Sequence, residues 1–96
     1  MKQLTILCSS DLAGEGRAAL GRAGIEGFLH VPRAVGVKPG AAAEHGRWPR
    51  WEAEMFVVPC EDAAVSRGVE GLREFTDHCD VEPCLRILVS SLEAVY

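Results

Sequence analysis

Apolar and polar positions alternate along the first stretch of the chain. In Gln3–Ser9, Leu4, Ile6 and Cys8 share one side, and Thr5, Leu7 and Ser9 share the other, which predicts a β-strand. Ser9-Ser10-Asp11 then offers the side chains that favour a helix N-cap. Leu12, Ala19, Leu20 and Ala23 recur at spacings that lie on one helical face. Gly24 follows where a left-handed C-terminal residue is wanted, with Ile25 as its hydrophobic contact. A second strand is predicted over Ile25–Val31, with Phe28 and His30 opposite Ile25, Gly27, Leu29 and Val31. Glu52–Val58 predicts a third strand, ended by Pro59. Glu61-Asp62 opens an amphipathic helix whose stripe is Val65, Val69, Leu72, Phe75 and Cys79, while Arg67, Glu70, Arg73 and Glu74 point elsewhere. The aliphatic run Cys84–Ser90 predicts a last, buried strand.

The order is β-α-β, a long interruption, then β-α-β. That is the pattern of an α+β ferredoxin-like βαββαβ sandwich: a four-stranded antiparallel sheet with two helices on one face, in one domain over residues 1–96. Strands two to four are apolar on both sides. The second face of the sheet is therefore expected to be buried against other copies of the chain, in a closed cyclic oligomer.

The interruption, residues 32–51, is where function is expected. Connections longer than about 12–15 residues are uncommon inside compact domains and usually belong to function or disorder. It carries Pro32, Gly36, Pro39, Gly40, Gly46 and Pro49, the basic residues Arg33, Lys38, Arg47 and Arg50, and both tryptophans, Trp48 and Trp51. Gly36, Lys38 and Gly40 suit an anion pocket at the base of the loop, glycine letting the backbone close on a phosphate while lysine supplies charge. His45 and Arg47 are the further loop candidates for ligand contact. The tryptophans, flanking Pro49-Arg50, suit either a partner-docking patch or an anchor on a neighbouring subunit.

Charge and composition narrow the picture. A net charge of −4 disfavours a nucleic-acid module, whose affinity rests on clustered Lys and Arg. No apolar run reaches the roughly 18 residues of a membrane span and no secretory signal is visible, so a cytoplasmic protein without membrane insertion is expected. Cys8 and Cys60 read as structural thiols. His78, Cys79 and Cys84, among Asp77, Asp80 and Glu82, leave three readings open: core thiols, ligands for zinc or copper, or a redox pair. No nucleophile–base–acid pattern is visible in the sequence, so an enzyme is not expected.

Several of these features together resemble the PII and PII-like signalling proteins. They are the helix ending in Gly24-Ile25-Glu26-Gly27-Phe28, the basic glycine-containing loop, the strand ending Val57-Val58-Pro59, the acid-capped helix and the final aliphatic strand. In that resemblance 32–51 is the T-loop and Asp77–Pro83 the B-loop. It implies a homotrimer whose lateral clefts hold an adenine nucleotide or another small-molecule anion, which reshapes the T-loop so that it engages a partner protein, a transporter or an enzyme. The segment Thr76–Cys84 departs from the nitrogen-regulatory members: it has no glycine or lysine and contains Asp77, Asp80 and Glu82. The chain's one tyrosine, Tyr96, lies outside the loop. The alternative within the same architecture resembles CutA-type trimers, a metal-binding or metal-tolerance protein using His78, Cys79 and Cys84.

Overall fold

The computed structural model describes residues 1–37, 50–77 and 85–96. Strand β1 (Lys2–Ser9) is followed by a short 3-10 turn (Ser10–Leu12) and helix α1 (Ala13–Arg22). Strands β2 (Leu29–Val37) and β3 (Arg50–Cys60), helix α2 (Asp62–Asp77) and strand β4 (Leu85–Ser91) complete the chain. All strand pairs are antiparallel and the order across the sheet is β2-β3-β1-β4. This is the ferredoxin-like arrangement expected from the pattern, with β2 and β4 as its edges.

Alternation decides which face is covered. Leu4, Ile6 and Cys8 are completely buried and form one core with Phe56 and Val58 of β3, Leu85 of β4, Ala19 and Leu20 of α1, and Leu72 of α2. Both helices thus lie on this face. On α2 the centre of the buried stripe is Ala64, Gly68 and Leu72, while Val65, Val69 and Phe75 flank it partly exposed. Cys79 lies outside the described residues. The opposite face carries Leu7, Val31, Met55 and Val57, all partly exposed, and Leu29 and Leu88, which are 62% and 54% exposed.

The end of α1 behaves as the sequence predicts. Gly24 has φ 81°, its N–H reaches the Gly21 carbonyl at 3.0 Å, and the Ile25 N–H reaches the Leu20 carbonyl at 3.0 Å. These are the paired bonds of a Schellman C-cap, with Ile25 buried as its hydrophobic contact. The start of α1 differs from expectation. Ser9 makes no side-chain cap bond, and the 3-10 turn inserted after it moves the α-helical N-cap to Leu12, which has none either.

Strand boundaries differ as well. Ile25 belongs to the helix cap, so β2 starts at Leu29. It then runs through Pro32 to Val37, so residues 32–37 and 50–51 of the expected loop are strand. Pro32 is tolerated because β2 is an edge and because the pairing shifts register between Val31 and Ala34, a β-bulge at the proline. Pro59 likewise does not end β3. It pairs with Gln3 on one side, whereas on its other side β2 begins only at Leu29, opposite Val57, so no neighbour there needs a proline N–H. Finally, β4 is an edge strand rather than a buried one. Leu85 is buried, but Leu88 and Val89 are at least half exposed.

Candidate functional site

Val37 and Arg50, within the loop 32–51 singled out by the sequence, and Asp77 and Leu85, on either side of the second stretch, lie at the same end of the sheet. β1 ends at Ser9, opposite Ala53 on one side, while on its other side Cys8 faces Leu85. At that level β2 and β3 continue beyond β1 as a two-stranded ribbon, with Gly36 paired to Trp51 and Val37 to Arg50. The ribbon is the root of the long loop. α2 ends nearby at Asp77 and β4 begins at Leu85.

Of the candidate ligand residues, Gly36 lies on the ribbon, partly buried. Lys38, Gly40, His45 and Arg47 lie outside the described residues, as do His78, Cys79 and Cys84. Among the described residues, no three His, Cys, Asp or Glu side chains are grouped to hold a metal.

Two grooves flank this end of the sheet, one at each edge. At the β2 edge a groove of about 420 Å³ is lined by Ser10, Pro32, Arg33, Ala34, Val35, Glu52 and Ala53. The bulge residues Pro32 and Arg33 are part of its wall, and Arg33 contributes a cation there. At the β4 edge a second groove, about 440 Å³, is lined by Val69, Arg73, Thr76, Arg86 and Ile87. Arg73 pairs loosely with Glu70 at 3.9 Å, and Arg86 donates to the Leu85 carbonyl at 3.1 Å. Two guanidiniums on adjacent elements suit a carboxylate or phosphate, the anions that the planar fork matches. Nothing in the sequence marks this groove, because Arg73 and Arg86 come to line it only when α2 packs beside β4.

A polar cluster sits on the covered face close to the loop root. His30 of β2 pairs with Phe56 of β3 across the ladder and stacks on it, ring centres 4.5 Å apart at 13°. Its Nε2 is 2.7 Å from Glu54 Oε1, and its Nδ1 is 3.3 Å from Arg17 Nη2 of α1. Arg17 also lies over the Phe28 ring at 5.6 Å, and Phe28 meets Phe56 edge-on at 5.5 Å. The partners of His30 are on other elements and left no mark in the sequence. Behind Glu54, the Cys8 thiol donates to the Glu54 carbonyl at 3.7 Å. Burial first, and the Glu54 charge second, push that thiol up to about 11. Burial and the neighbouring Asp62 and Glu61 also raise Cys60. Both described cysteines are thus free, buried thiols held toward the protonated form, in keeping with a structural role.

No protein-family model matches the sequence, and no curated protein matches it. Solved structures do match in fold. CPII from Thiomonas intermedia K12 bound to ADP and bicarbonate superposes with a TM-score of 0.69 at 18% identity, over 93% of this chain and 82% of that one. The form of this nitrogen regulatory PII-like protein bound to ADP, AMP and bicarbonate gives 0.69 and 18% over 92% and 86%. Its apo form gives 0.64 and 19% over 93% and 85%. The fold of the chain is thus that of the PII-like proteins.

Proposed function

We propose that the chain is a divergent PII-like regulatory protein that works by binding rather than by turnover. It assembles as a homotrimer, takes a small anionic effector, an adenine nucleotide first, at the cleft between subunits, and reads out to a partner protein through the loop rooted at Val37 and Arg50. The observation that carries this reading is the placement of the two grooves. They lie at the same end of the sheet but at opposite edges, so one chain cannot join them. A cyclic, head-to-tail assembly sets the β2 edge of each subunit against the β4 edge of the next and closes three composite sites.

In each composite site Arg33 and the glycine of the loop root, Gly36, face the effector from one subunit, with Lys38, Gly40, His45 and Arg47 following in the loop. Arg73 and Arg86 come from the neighbour. An effector held between them acts only if it favours one loop arrangement over another, because equal affinity for both shifts nothing. The solved relatives that share the fold hold ADP, AMP and bicarbonate, which supports an adenine nucleotide as the first ligand to try.

The test is subunit complementation. ADP binding to Arg33→Ala and to Arg86→Ala trimers is expected to be weakened at least tenfold in each. Refolded from a mixture of the two variants, the mixed trimers are expected to regain one tight site each, because every ring containing both variants has one junction with both arginines. Mixed trimers as weak as either parent contradict a composite cleft, and unweakened single variants contradict the assignment of these arginines.

A further inference from the structure

We propose that Arg17, His30 and Glu54 form a proton-dependent latch between α1 and the root of the β2–β3 loop. The chemistry of the partners fixes the protonation state of the arrangement. A carboxylate only accepts and a guanidinium only donates. With Nε2 2.7 Å from Glu54 Oε1 and Nδ1 3.3 Å from Arg17 Nη2, His30 carries its hydrogen on Nε2, donates it to Glu54, and accepts from Arg17 through the bare Nδ1. Both bonds are made at once only by the neutral ring.

A second proton on the ring affects the two bonds in opposite ways. It leaves the Nε2–H bond to Glu54 in place and turns it into an ion pair, 23% and 14% of the two side chains being exposed. On the other side it puts an N–H against the guanidinium, removing the acceptor and placing two positive charges together. The bond that breaks is therefore the one from α1. The groups facing His30 are Arg17 from α1, Glu54 and the Phe56 ring from β3, and, behind Glu54, the neutral Cys8 thiol from β1. Imidazole is the side chain whose charge changes between about pH 5 and pH 8.

The location gives the latch something to act on. His30 lies two residues before Pro32, where the bulge turns the strand into the ribbon that carries the loop. Arg17 is exposed and held by the His30 acceptor and the Phe28 face. Acid releases this tie between α1 and the strand that bears the loop root while tightening the one between β2 and β3. This inference does not depend on which effector, if any, the clefts take.

The test is a pH titration of the His30 imidazole by ¹⁵N NMR, its signals identified by their loss in His30→Asn. At high pH the shifts are expected to report the Nε2–H tautomer. The Arg17→Met variant is expected to raise the measured midpoint and Glu54→Gln to lower it, the directions set by losing an adjacent cation and an adjacent anion. Amide exchange over 13–22, normalised for intrinsic rate, is expected to speed up several-fold in acid in the wild type and to be fast at both pH values in Arg17→Met. An Nδ1–H tautomer, an Arg17→Met midpoint equal to the wild type, or helix exchange indifferent to pH each overturns the latch. Arg17 is on the surface, so its variant folds even where Glu54→Gln does not.

Discussion

Leu29→Asp is the perturbation that most sharply tests whether the open sheet face is an interface. In the isolated chain Leu29 and Leu88 retain 62% and 54% of their exposure, and Leu7, Val31, Met55 and Val57 around them are only partly covered. Fully burying a leucine is worth about 1.5–3 kcal/mol, so the exposed half of each retains about 1 kcal/mol or slightly more to be gained on association. An aspartate at 29 forfeits that gain in every subunit and adds the cost of desolvating a carboxylate, which is several kcal/mol when unpaired. Three subunits together lose at least about 6 kcal/mol, which lowers the assembly constant by more than about four orders of magnitude at 1.4 kcal/mol per factor of ten. Within the monomer the substitution is close to neutral, because the site is solvated there. Sedimentation velocity at micromolar concentration is expected to show a trimer for the wild type and a folded monomer for Leu29→Asp. A variant that remains trimeric at the same concentration refutes the burial of this face.

Other expected outcomes follow from single contacts. Phe56→Ala empties the centre of the core beneath His30 and Phe28 and is expected to cost about 3–5 kcal/mol in urea unfolding; a loss below about 1 kcal/mol contradicts the packing described. Gly24→Ala forces a left-handed backbone on a residue with a Cβ and is expected to cost about 1–2 kcal/mol, read as a lower thermal midpoint; an unchanged midpoint means that the helix end has no such constraint. The Cys8 thiol is pushed from 9.0 to about 11, so the folded state favours its protonated form. Its contribution to stability is full below about pH 9 and is lost as pH rises through about 11. Cys8→Val is therefore expected to flatten the decline of thermal stability over that window, and an identical slope in the variant contradicts it.

Where the sequence was legible, the physics was local. The alternation of Leu4, Ile6 and Cys8 reads directly as the covered face of β1, and Gly24-Ile25 as a helix cap, because both depend only on neighbours in the chain. The strand ends were not legible, because they depend on what lies alongside. Pro32 and Pro59 look like stops until β2 proves to be an edge and β3 proves to have no partner on its β2 side past Val57. Ser9 looks like a cap until the 3-10 turn displaces the helix start. Val89 and Leu88 look buried because aliphatic density marks a strand that is to be covered without saying by what.

The site was legible to a lesser degree. The loop was singled out by its glycines and cations, but its ends, 32–37 and 50–51, belong to strands β2 and β3. The Arg73–Arg86 groove and the Arg17–His30–Glu54 cluster were missed for one reason. Each joins residues from different elements, and their meeting is set by helix packing and hairpin register rather than by spacing.

The most direct test of the account is native mass spectrometry of the freshly purified, reduced protein, with and without added ADP. A mass of three chains is expected, taking up as many as three nucleotides, one for each junction between subunits. A monomer, or a trimer that stays bare at millimolar ADP, contradicts it.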